Sequence, residues 1–298
     1  ATVENSSLSG NTDFGVNNTT STLIDASPNW WGAASGPSGE GPGTGDPVSA
    51  NTAYSPWCAN SSCTAFASEN ADGDIVIPTG TSQADAEAII DSAPADATIV
   101  FEGGTYDGGY TVDTSGLTFD LNGSTIGPGS PAFTINVPDV TVSGPGTLDG
   151  SGDTSPAILV QSGGDNFTLE NAEVLNWADG VEVAGDVTSF SLDGNWIHDN
   201  TDDGLQVDSA VTIDGVVTIK GNLFKANGGN GIQNDGTNDP LPAEYNSWGD
   251  IDGPEETTGG DGIGGNVDAD PFTFAEVWMD VEPDTTATSR TVTEKDTF

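Results

Sequence analysis

Apolar and polar residues alternate in short runs through the middle of the chain. FTI from Phe133, VTV from Val140, AILV from Ala157, FTLENAEV from Phe167, VEV from Val181 and FSL from Phe190 carry Phe and branched residues at period two. Gly, Asn and Asp separate them, the residues that tolerate left-handed turns. This pattern predicts many short strands, each with one buried face, and it excludes helical periodicity between them.

The strands recur as a unit. Asn precedes Gly by four residues at Asn176/Gly180, Asn200/Gly204, Asn227/Gly231 and Asn11/Gly15, and an aliphatic residue follows each Gly: Val181, Leu205, Ile232 and Val16. Unit starts near Tyr110, Ala132, Ala157, Gly180, Gly204 and Gly231 give steps of about 22 to 27 residues. Steps of that size predict a solenoid whose coils each hold about three short strands, stacked over one apolar column. The fold class expected is all-β, a right-handed parallel β-helix. Asn11, Asn176, Asn200 and Asn227 are expected to form an amide ladder at one turn, satisfying backbone groups there.

A longer repeat overlies the coils. N-x-W-G-x-x-x-G-P occurs at Asn29–Pro37 and again at Asn246–Pro254, 217 residues later, while Asn11 and Asn227 stand 216 apart. A lone Val (Val48, Val267) and an aromatic after Pro (Trp57, Phe272) follow in both. Residues 1–64 are therefore expected to be the tail of a preceding module and residues 65–275 a complete one. Ala65 to Asp74 reads as a polar linker. Ser82 begins a short helix near residues 82–93 that Pro94 stops, placed to cover the open end of the apolar column. Residues 276–298 read as a strand extension, the start of an incomplete β-sandwich. Trp31 and Trp248 are expected to lock the terminator loop onto the last coil.

Charge narrows the partners. The chain has 47 acidic residues against four basic ones, for a net charge of −43. Nucleic acid and anionic membranes would be repelled, and no stretch is long and apolar enough to insert in a bilayer. No cofactor is required, and divalent cations, Ca2+ among them, are the expected companions. Alternating oxygen ligands on Gly-rich loops suit Ca2+ at Asp149, Ser151 and Asp153, at Asn70, Asp72 and Asp74, and at Asp250 and Asp252 with Glu255, Glu256 and Asp261 near. Cys58 and Cys63 are the only cysteines. A local disulfide between them implies an oxidising compartment, outside the cell or on its surface. Sequons at Asn5, Asn17, Asn18, Asn60, Asn122 and Asn166 are glycosylation candidates in an exported chain.

The helix followed by ATIVFEGGTY, the Asn–Gly coils and the terminator resemble the pectate-lyase-like right-handed β-helix superfamily, in particular repeat-type surface proteins grouped with periplasmic copper-processing β-helix repeats. The resemblance covers roughly residues 75–275 and the partial copy at 1–57. It implies two enzyme readings. A lyase of acidic sugars needs basic residues, and the coils offer only Lys220 and Lys225. A polygalacturonase-type pair would use Asp202 and Asp203 with His198 nearby, but the family's Gly-His-Gly and Arg-x-Lys segments are missing. His198 is expected to be an exposed outward residue, and Trp177 or Trp196 could stack on a sugar. The reading favoured is a non-catalytic extracellular module of a surface or matrix protein, self-associating head to tail into a filament, sheath or layer. A polysaccharide-active enzyme and a carbohydrate-binding adhesin are the alternatives.

Overall fold

The computed structural model describes residues 1–237, 240–250, 252–254 and 261–273. The expected extension at 276–298, with Glu255 and Glu256, lies outside the described residues. Among those described, three parallel faces form a triangular column. The first holds Thr98–Phe101, Thr118–Asp120, Thr141–Ser143, Phe167–Glu170, Phe190–Asp193 and Val217–Lys220. The second runs from Thr105–Tyr106 to Leu223–Lys225, and the third from Tyr110–Val112 to Gly262–Gly265.

Register is kept from coil to coil, so each inward position becomes a stack. Ile99, Phe119, Val142, Leu169, Leu192 and Ile219 succeed one another on the first face. Ile126, Leu148, Val174, Ile197 and Phe224 do so on the second. All are at most 2% exposed. Burying each such side chain is worth about 1.5–3 kcal/mol, and no coil can supply that alone.

The helix Gln83–Ser92 covers the start of the column. Ser82 accepts a hydrogen bond from the Asp85 N–H, and Ala86, Ile89 and Ile90 are buried. It packs against Tyr110–Val112, where Glu87 accepts the Thr111 N–H.

The first 64 residues sit on this cap. Ser35 N donates to Ser92 Oγ, while Ser35 Oγ and Thr44 Oγ1 both donate to the Ser92 carbonyl at the helix end. Trp31, Ala34 and Trp57 share one apolar cluster with the helix and the coils. The stretch Ala65–Asp74, expected as a linker, contains a strand instead. Phe66–Glu69 pairs antiparallel with Trp57–Cys58 on one side and with Ile75–Ile77 on the other. Ala67 faces the core and is fully buried, which the small side chain had concealed. The first face thus runs unbroken through residue 64 into the coils.

The long repeat is visible as repeated contacts. Asn29 Nδ2 donates to the Ala26 carbonyl and Asn246 Nδ2 to the Ala243 carbonyl. Asn11 is bonded to Asp46 as Asn227 is to Asp261. A Cβ on Gly36 would meet Trp57, and one on Gly253 would meet Phe272. One equivalence shifts: Val16 bridges Val48 while Ile232 pairs with Ile263, so Val48 corresponds to Ile263 and Val267 to Thr52.

Candidate functional site

The turn joining the second face to the third is where polar groups concentrate. Asn200 Oδ1 accepts the Trp177 N–H, Asn227 Oδ1 accepts the Asn200 N–H and Nδ2, and Asp261 receives the Asn227 N–H and amide. This is the expected ladder with one correction. Asn176 is not a rung, because Leu175 pairs with His198 and so Asn176 stands level with Asp199. Its turn is one residue shorter than the next. Asn176, Asp199 and Ala226 share a left-handed conformation at φ 61, 52 and 59°, and Asn176 Nδ2 donates to Asp149. Asn11, exposed, repeats the role of Asn227 at the other end of the chain.

A second ladder, fully buried, went unforeseen. Asn195 Oδ1 accepts the Ala172 N–H, Asn222 Oδ1 accepts from Asn195, and Asn246 Oδ1 accepts from Asn222, at 2.9–3.0 Å. Each amide nitrogen donates to a carbonyl of the previous coil, at Leu169, Leu192 and Ile219. The Gly-Asn pairs at 194–195 and 221–222 were its signal.

Beside the first ladder lies the one group of three carboxylates that converge among the described residues: Asp179, Asp202 and Asp203, with oxygens within 4.8 Å of one another. They too follow the register. Asp179 Oδ1 accepts the Asp203 N–H at 2.9 Å, and Asp203 Oδ1 accepts the Asn230 N–H at 2.5 Å. Burial, with Asp202 and Asp203 adding like charge, pushes Asp179 up to about 6. Burial also raises Asp203, and raises Asp261 to about 6. Such a cluster can share a proton or hold a hard cation. For Ca2+ the fit is partial, since that ion takes about six to eight oxygens and one oxygen on each of Asp179 and Asp203 already serves the backbone.

In the Ca2+ loops read from sequence, side-chain oxygens accept backbone N–H groups. Asn70 Oδ1 accepts the Asp72 and Asp74 N–H groups and its amide donates to Asp74. Asp149 accepts the Ser151 N–H, Asp153 the Ser155 N–H, and Asp250 the Asp252 N–H. These oxygens close turns.

His198 is not exposed. It is 5% accessible, with Nδ1 2.6 Å from Asp199 Oδ2, Nε2 3.2 Å from Glu173 Oε1 and its ring stacked 3.8 Å from Trp196. Its hydrogen bond holds the Glu173 carboxyl below the usual range. The residue points outward beside Leu175 and Lys225, but its neighbours close over it. Trp177 is buried completely and donates to the Leu148 carbonyl, so it offers no face to a sugar. Trp31 and Trp248 are buried in equivalent places.

Cys58 and Cys63 are bonded to each other across the turn that follows Trp57. Of the sequon residues, Asn5, Asn17, Asn122 and Asn166 are exposed and Asn60 is half-buried, donating to Asp85. Asn18 is buried, and its amide donates to the Thr22 and Asn51 carbonyls, which a glycan there would break. No helix among the described residues is long and apolar enough to cross a membrane.

Residues 101–246 match the sequence model of the family described as right-handed β-helix region. No curated protein and no solved structure matches the chain. The matched span covers the coils from Phe101 to the last rung of the buried amide ladder, Asn246. Register, three-faced section and family match agree that the coils of this chain form a right-handed parallel β-helix, a fold consistent with the pectate-lyase-like superfamily.

Proposed function

We propose that the protein is a non-catalytic, extracellular structural module of a larger surface or matrix protein, assembling head to tail with others of its kind. One observation carries this reading. The terminator of the first copy is seated on the cap helix of the second through Ser35 and Thr44, and one apolar cluster that includes Trp57 crosses the junction. A fold that joins its own repeat units end to end without a gap is suited to building length. The Cys58–Cys63 bond supports an oxidising location, and the net charge of −43 supports a role in salty, cation-rich surroundings. Cations, Ca2+ among them, are the proposed companions of the Asp179, Asp202 and Asp203 edge.

That edge also favours a second reading, a carbohydrate-active protein, because a pair of carboxylates facing one another is what glycoside hydrolysis uses. Native mass and electron microscopy at rising concentration, with and without Ca2+, are paired with a panel of neutral and acidic glycans. End-to-end particles and inert glycans are expected. A strict monomer throughout overturns assembly. Glycan cleavage would make the protein an enzyme, and saturable binding without cleavage an adhesin.

A further inference from the structure

The molecule contains an internal comparison for one of its edges. Val3, Leu8, Val16 and Ile24 occupy the positions of Ile219, Phe224, Ile232 and Leu241, as the repeated hydrogen bonds and bridges establish. The later four are at most 2% exposed, while the earlier four are only half-buried. The difference lies in what covers them. Val217–Lys220, Leu223–Lys225 and Asn230–Asn234 pair with Phe190–Asp193, Trp196–His198 and Leu205–Val207 of the coil below. Among the described residues, Thr2, Ser7, Val16 and Ile24 pair on one side only, with Asp25, Trp30, Val48 and Thr52.

The polar groups match as well. In the covered copy the Leu223, Gly228, Gly229 and Asp235 N–H groups donate to the Asn195, Asn200, Asp202 and Val207 carbonyls. Their counterparts are the N–H groups of Ser7, Thr12, Asp13 and Thr19, which have no acceptor among the described residues. Asn227 Oδ1 accepts from Asn200, whereas Asn11 holds the same bond to its aspartate with its Oδ1 left over.

We propose that residues 2–24 form a docking edge for one more β-coil of the kind seen at residues 190–213, carried by a second copy of this module. The incoming coil would place aliphatic residues, as Leu192, Ile197 and Leu205 are placed, over Val3, Leu8 and Val16. Its carbonyls would take the Ser7, Thr12, Asp13 and Thr19 N–H groups. In an intact copy that coil is already covered by residues 217–234, so the occupant is a coil whose covering rung is replaced by residues 1–25. This rests on the end-to-end reading above and names the surface it uses.

The test joins a second copy of residues 65–216 directly to Ala1 of the whole chain, the 216-residue offset keeping the register. Amide exchange at Ser7, Thr12, Asp13 and Thr19 is compared with that in the original chain, and slowing of at least about tenfold is expected. Val16→Asp in the fused chain restores fast exchange. Unchanged exchange at these four amides overturns the proposal, whether the added segment folds, as judged by its own slow amides, or stays unfolded. A protected edge in the fused chain beside an original chain that never assembles would leave this surface standing and remove head-to-tail assembly instead.

Discussion

Removing one rung of the buried amide ladder tests how this column is held. Asn222 is 1% exposed, and its Oδ1 accepts both the backbone N–H and Nδ2 of Asn195 while its own Nδ2 donates to the Leu192 carbonyl and to Asn246. In Asn222→Ala the Asn195 backbone N–H loses its acceptor inside the core. Asn195 Nδ2 keeps Leu169, and Asn246 Oδ1 keeps the backbone N–H of residue 222. One complete orphan costs about 1–3 kcal/mol and the weakened bonds add to it, so a loss of about 2–4 kcal/mol is expected. Urea unfolding followed by circular dichroism reads this as a lower midpoint at constant slope. The exposed Asn17→Ala should stay within about 0.5 kcal/mol. The double variant Asn195→Ala with Asn222→Ala should fall short of additivity, because both remove the same contact. If Asn222→Ala unfolds within about 0.5 kcal/mol of the original chain, the ladder is an ornament of the turns and the reasoning fails.

Asp179, at about 6 in the fold against 3.8 as its ordinary value, is favoured protonated by the fold. Its ionised form therefore weakens the structure above about pH 6, and stability should rise as pH falls through that value, with the gain complete near 3.8. Thermal midpoints from pH 7 to 5 should show this, Asp179→Asn should reduce the rise and leave the share of Asp261, which is also raised to about 6, and an unchanged profile would clear this carboxylate. Gly36 has φ +93° and a Cβ there would lie 2.4 Å from the Trp57 ring. Gly36→Ala should cost about 2–4 kcal/mol through backbone strain and overpacking, with faster amide exchange at Ala67, and equal stability would refute the tight seat of Trp57.

What could be read from the chain followed the physics of repetition. Inward Val, Leu, Ile and Phe at period two gave the strands, because alternation is forced by the pleat. The paired terminators were legible because Asn29 and Asn246, Trp31 and Trp248, and Gly36 and Gly253 each meet a fixed steric or hydrogen-bonding demand. Asn176 misled because spacing to the following Gly measures sequence, whereas rungs are set by strand pairing, and one turn is a residue shorter. The strand Phe66–Glu69 was hidden by its short, small-residue pattern and by pairing antiparallel in an otherwise parallel stack. His198 was misplaced because exposure of an outward side chain depends on Trp196, Glu173 and Asp199 closing around it, which no local pattern encodes. The acidic cluster needs residues 23 or 24 apart to come level: Asp202 and Asp203 stood out as an adjacent acidic pair, but among so many aspartates their convergence with Asp179 was not legible.

Because the strands of the described coils lie crosswise, the bonds between neighbouring rungs point along the length of the column. A pull between its two ends would load those bonds a few at a time and not all together. The chain would then unreel stepwise, each loop of 23 residues, such as that from Tyr110 to Phe133, releasing at most about 80 Å of slack.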